Sequence, residues 1–162
     1  MDIVRINIEI AEYKAARHPT ELVTIGLGSC VGICLYDPIA RIGGLAHVML
    51  PDSTQARLSN NKGKFVDTAV PALIAEMSKL GADRSRLVAK IVGGAEMFSF
   101  DNASDFMRIG KRNVEAVIAA LKLEKIPLIA QDTGKNYGRS IRFCTINGQL
   151  YIKSIAHGEK IM

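Results

Sequence analysis

Residues 3–10 (IVRINIEI) place Val4, Ile6, Ile8 and Ile10 on one side of an extended chain and Arg5, Asn7 and Glu9 on the other. This period of two predicts a half-buried strand. Two more apolar stretches follow, residues 22–34 (LVTIGLGSCVGIC) and 42–51 (IGGLAHVMLP). Asp37-Pro38 lies between them as a turn signal. The two stretches are therefore expected as the arms of a hairpin. Residues 51–64 are polar, with Asp52, Ser53, Ser59, Asn60, Asn61 and Gly63, and read as a mobile loop near the end of the second arm.

The period then changes. Phe65, Ala69, Leu73, Met77 and Leu80 form a helical stripe over residues 65–80, and Gly81 is a natural stop. Pro71 inside this stretch predicts a kink or a later start. Residues 86–92 read as a buried strand ending at Gly93-Gly94. A second helix is expected over residues 109–123, with Val114, Val117, Ile118 and Leu121 inward. Residues 126–130 form a short strand. Residues 140–146 and 149–155 flank Asn147-Gly148, the strongest short hairpin signal in the chain. Many strands and two good helices predict an α+β fold of packed mixed or antiparallel sheets flanked by helices. No repeat or long linker divides the chain, so residues 1–162 are expected to form a single domain.

Composition changes this picture little. Apolar residues make up 48% and charged residues 23%. No apolar run is long enough to span a bilayer, so membrane insertion is not expected. The first residues alternate apolar and charged, unlike the apolar core of a signal peptide. The expected location is the cytoplasm, with Cys30, Cys34 and Cys144 as reduced thiols. The net charge of +5 suits an acidic partner surface. Basic residues are scattered, aromatics are only 6% and no nucleic-acid motif is present, so nucleic acid is not an expected partner.

The chemistry centres on Cys30 and His47. A hairpin folded symmetrically about residues 38–39 makes them direct cross-strand partners, with Cα atoms about 4.5–5.5 Å apart and side chains on one face. A thiol there can pass its proton to the imidazole. A one-residue slip would put them on opposite faces. The plainer reading of Cys30 is a small buried hydrophobe, and of His47 a core histidine satisfied by a carbonyl. Gly26, Gly28 and Ser29 bend the strand and expose its backbone, which favours the reactive reading. The amides of Ser29 and Cys30 are candidate oxyanion donors. Thr24 shares the face of Cys30 if no bulge intervenes, and is placed to orient His47.

Other patterns carry less. Gly26-Leu27-Gly28 is followed by more strand rather than a helix, which excludes a dinucleotide fingerprint. Cys30 and Cys34 on one strand lie about 13 Å apart, too far to share a zinc ion bound at about 2.3 Å. No cofactor or metal is called for. Asp132-Thr133-Gly134 resembles the triplet of an aspartic protease, but only one copy is present. A backbone turn is the simpler account.

At Thr24-Ile25-Gly26-Leu27-Gly28-Ser29-Cys30 and Ala46-His47-Val48-Met49-Leu50-Pro51 the chain resembles the CheD family of bacterial chemoreceptor glutamine deamidases. Lys64-Phe65-Val66-Asp67-Thr68-Ala69-Val70, Gly93-Gly94-Ala95-Glu96-Met97-Phe98, Ile109-Gly110-Lys111-Arg112-Asn113-Val114, Asp132-Thr133-Gly134 and Arg139-Ser140 match in the same order. The resemblance implies a fold like that of cysteine-dependent toxin deamidases. It implies Cys30 as nucleophile, His47 as general base and Thr24 as the group that orients it. The implied substrate is the helical cytoplasmic region of methyl-accepting chemoreceptors, where glutamine becomes glutamate through a thioester. A CheC-type phosphatase is the second implied partner. Residues 99–107 form a longer connection than is usual for the family, and Pro71 replaces a typical helix residue. Two other functions stay open beside hydrolysis: a weakly catalytic or non-catalytic regulator of receptors or phosphatase, and transamidation through the same thioester.

Overall fold

The computed structural model describes residues 2–54, 60–97 and 108–162. Its strands in chain order are β1 (Val4–Asn7), β2 (Tyr13–Arg17), β3 (Thr20–Leu27), β4 (Val31–Asp37), β5 (Ile42–Val48), β6 (Val88–Gly93), β7 (Leu128–Thr133), β8 (Arg139–Cys144), β9 (Leu150–Ser154) and β10 (Gly158–Ile161). The helices are α1 (Val66–Lys79) and α2 (Ile109–Leu123).

The strands form two five-stranded sheets, ordered β1-β3-β8-β9-β10 and β2-β5-β4-β6-β7. The β1–β3 and β6–β7 pairs are parallel and the others antiparallel, so both sheets are mixed. The α+β architecture of packed sheets with helices is therefore as the patterning predicts.

Strand β4 explains how the layers stack. Val31, Ile33 and Leu35 pack with Val66, Leu73, Met77, Val117 and Leu121 of the helices. Cys34 and Tyr36 point the other way, into a cluster with Leu22, Leu27, Ile141, Phe143 and Ile152 of the first sheet. The second sheet is thus covered on both faces. Every residue of β4 and β5 is buried, as expected for near-continuous apolar strands. Each fully buried leucine, such as Leu35 or Leu45, contributes about 1.5–3 kcal/mol relative to exposure.

Helix α2 spans the predicted residues, and α1 starts at Val66 despite Pro71. The proline therefore does not delay the start. The carbonyl its missing N–H would have served is that of Asp67, an exposed residue open to water.

The largest departure lies in residues 22–34. They do not form one hairpin arm. The strand breaks at Gly28, Ser29 and Cys30, and the chain passes from the first sheet in β3 to the second in β4. A bulge precedes the break, between Thr24 and Leu27. Gly26 sits in it at φ +74°, a left-handed conformation that glycine adopts freely.

Candidate active site

The β4–β5 hairpin turns about residues 39–40, not 38–39. Val31 pairs with Val48 and Gly32 with His47. Cys30 lies just before β4 and is not the direct partner of His47. The prediction missed by two residues, because the turn that Asp37 caps is two residues longer on its far side: Asp37 pairs with Ile42 and not with Ala40. A two-residue offset preserves the face. Leu45 and His47 of β5 and Cys34 of β4 face the layer between the sheets, and Cys30 packs on that same cluster. Thiol and imidazole therefore share one layer, with Cys30 two residues beyond the partner of His47.

Thr24 reaches His47 by a different route from the predicted one. It does not share a strand with Cys30, since the bulge and the break intervene. It projects from β3 of the opposite sheet, with Oγ1 2.7 Å from His47 Nδ1. The same hydroxyl donates to Ile8 O at 2.7 Å. A hydroxyl has one proton, and a carbonyl only accepts. Thr24 therefore gives its proton to Ile8 and accepts from His47 Nδ1–H. This fixes the neutral imidazole with its lone pair on Nε2. That Nε2 is buried without a hydrogen-bond partner among the described residues. His47 is 2% exposed, and burial lowers its pKa below 6.5. Burial raises the Cys30 thiol above 9.0, opposed by its own backbone amide. Both shifts favour a resting pair of neutral thiol and neutral imidazole.

The bend holding Cys30 is fastened from the second sheet. Gly94 N donates to Cys30 O at 2.8 Å and Ala95 N to Gly28 O at 2.8 Å. Gly93 at φ +117° has no room for a side chain, since a Cβ would stand 2.3 Å from Cys30 O. Among the described residues, neither the Ser29 nor the Cys30 amide donates to another backbone carbonyl. Cys30 itself is partly exposed. Gly94, which donates to Cys30 O, also lines a cleft of about 420 Å³ with Glu96, Lys111, Thr133, Gly134 and Lys135.

Two residues that the sequence offered only as parts of matching segments, with no role assigned, stand beside the site. Asn113 of α2 donates through Nδ2 to Ser29 O at 3.0 Å and Met49 O at 2.8 Å. A polar residue on the inward side of an amphipathic helix was the available signal. Arg139 is 1% exposed and donates to Gly134 O at 2.9 Å and Asp132 Oδ1 at 3.3 Å. Lys160 also approaches Asp132, at 3.2 Å. Asp132 and Thr133 end β7, and Gly134 N donates to Gly93 O at 3.0 Å. Asp132 thus makes ion pairs with Arg139 and Lys160, and the Gly134 amide beside it supports Gly93. Cys34 is fully buried opposite Lys90, as a core residue. The expected long connection over residues 99–107 lies outside the described residues, as do residues 55–59 of the polar loop.

The fold and site define a class: a two-sheet α+β protein with a partly exposed thiol on a glycine-supported bend and an imidazole whose tautomer is fixed from the facing sheet. Residues 49–154 match the family model described as CheD chemotactic sensory transduction. Similar proteins extend the match to nearly the whole chain. One from Syntrophomonas wolfei, named probable chemoreceptor glutamine deamidase CheD, is 51% identical over 97% of this chain and 98% of its own. Proteins of the same name from Caldanaerobacter subterraneus (51% identical, 96% of each chain) and Clostridium botulinum (50% identical, 99% of each) are comparable. The chain belongs to the CheD family.

Proposed function

We propose that this chain is a protein-glutamine deamidase acting on chemoreceptors in the cytoplasm, with Cys30 as nucleophile and His47 as general base. The observation that carries this reading is the imidazole pinned through Nδ1 to Thr24, leaving Nε2 unpaired in the layer that also holds Cys30. The names of the relatives supply the substrate class.

In this mechanism Nε2 takes the proton of the Cys30 thiol as sulfur attacks the side-chain amide carbon. The tetrahedral oxyanion accepts hydrogen bonds from the Ser29 and Cys30 amides. The imidazolium keeps its Nδ1–H on Thr24 and returns the other proton to the departing nitrogen. The C–N bond breaks and ammonia leaves, with the acyl group held as a thioester. Water then attacks the thioester, giving a proton to Nε2. The C–S bond breaks, Cys30 recovers its proton and glutamate is released. Burial disfavours a free thiolate at rest, so the attack depends on His47 to take the thiol proton.

A second reading rests on that same neutral resting pair: slow catalysis, with the chain acting chiefly as a binding regulator of receptors or of a CheC-type phosphatase. Mass spectrometry of a purified chemoreceptor cytoplasmic fragment, incubated with wild type and with Cys30→Ala, separates the two. Glutamine-to-glutamate conversion with wild type alone is the expected result. No conversion on receptors of the same genome, with phosphatase stimulation retained by Cys30→Ala, would favour the regulator.

A further inference from the structure

The β4–β5 ladder ends at the Val31–Val48 pair. Beyond it the two chains part. Cys30 O turns to Gly94 N, while Met49 N and Leu50 N both donate to Lys64 O, at 2.9 and 3.1 Å. No backbone hydrogen bond among the described residues joins residues 29–30 to residues 49–50. The hairpin is therefore open at the place where thiol and imidazole must meet.

One side chain spans this opening. Asn113 Nδ2 donates to Ser29 O on one chain and Met49 O on the other. Both neighbours are carbonyl oxygens, so the amide must face them with its NH2 end. Its Oδ1 is left buried without a partner. An unpaired buried acceptor is costly. Here both donors are spent on holding the two chain ends at one width. Ser29 precedes Cys30, and Met49 stands two residues after His47. We infer that Asn113 is a positioning residue for the reaction: its amide replaces the missing rung of the hairpin and sets the separation of the Cys30 thiol from the His47 imidazole. This rests on the reading that those two groups react together.

The test is a cycle of wild type, Asn113→Ala, His47→Ala and the double variant, each assayed below its own melting temperature. Cys30 alkylation by iodoacetamide is followed across pH, and kcat and KM are measured on the receptor fragment. A small misplacement of reacting groups costs on the order of 100-fold. Asn113→Ala is expected to lower kcat about 10- to 100-fold with KM little changed. It should also abolish the His47-dependent part of the alkylation rate. In the His47→Ala background it should cost nothing further, because the two residues act as a unit. Asn113→Asp, nearly the same size but without the donors, should behave alike and serves if the alanine variant fails to fold. Unchanged kcat per folded molecule, equal slowing in both backgrounds, or wild-type alkylation independent of His47 would overturn the proposal. If wild type deamidates no receptor yet alkylation follows the cycle, the glutamine reading fails and the Asn113 assignment stands.

Discussion

The two ends of the β4–β5 hairpin are built on opposite terms. At the closed end the Asp37 carboxylate accepts from Ile39 N, Ala40 N, Asp83 N and the Nε and Nη2 of Arg86. Burial by itself would raise its pKa, but the guanidinium and these amides hold it well below the usual carboxylate range. At the open end the ladder stops early, His47 Nε2 and Asn113 Oδ1 are buried without partners, and the thiol is partly exposed. One end is satisfied and anchors the hairpin. The other retains unspent hydrogen-bonding capacity where chemistry is proposed. Proteins break local rules at functional sites and compensate elsewhere.

The sharpest way to break this contrast is His47→Leu. Loss of a general base lowers kcat about 10²- to 10⁴-fold. Melting temperature should stay within a few degrees of wild type, because the removed Nε2 was already unpaired and Thr24 keeps its bond to Ile8. A large fall in stability would show that the open end is structural after all. Asp37→Ala should do the reverse. It strands the Arg86 guanidinium, itself one-third exposed, and several amides. The expected cost is about 3 kcal/mol, the low end for breaking a buried pair. In a domain of this size that is about 6–12 °C in Tm, with activity per folded molecule retained.

Thr24→Val is a smaller and more selective change. It keeps shape and removes the acceptor for Nδ1–H, so the imidazole loses its fixed tautomer. We expect kcat to fall about tenfold or more, equivalent to roughly 1.4 kcal/mol, while Thr24→Ser retains most of it. Equal loss in both variants would assign Thr24 to packing instead.

The smallest effect is on stability against pH. His47 has a folded pKa below 6.5, so the unfolded chain binds more protons just below that pH. Its contribution is complete above pH 6.5 and is lost as pH falls through the unfolded value toward the folded one. Asp37, depressed below 3.8, contributes fully above that pH and loses its contribution only as pH falls further. Urea midpoints measured from pH 8 to 3 should show an early decline that His47→Leu removes and a late one that Asp37→Ala reduces. An early decline unchanged in His47→Leu would assign it to another group.

Much of this was legible in the residues. The stripes of α1 and α2 and the Asn147-Gly148 hairpin follow from period and turn chemistry, which act over a few residues. Strands β2 and β10 were not anticipated. Tyr13–Arg17 lacks a clear alternation, and Gly158–Ile161 is wholly exposed, so neither carries a burial signal. The site was half legible. Cys30, His47 and Thr24 stood out as candidates, and the structure joins Thr24 to His47, while the register between Cys30 and His47 is two residues off the expected pairing. Asn113 and Arg139 were given no role, because Asn113 bonds only to backbone carbonyls and Arg139 to one carbonyl and the Asp132 carboxylate, partners that the fold brings together.

By itself the sequence determined which residues alternate, which form stripes and where glycines let the chain bend, since these depend on local geometry. The tertiary structure alone decided that residues 22–34 divide between two sheets. A period of two records which face a residue takes but not which sheet receives it. That division brings Thr24 to His47 across the layer, while the Asn113 amide joins the parted chains beside Cys30, as only the packing of α2 against the hairpin permits.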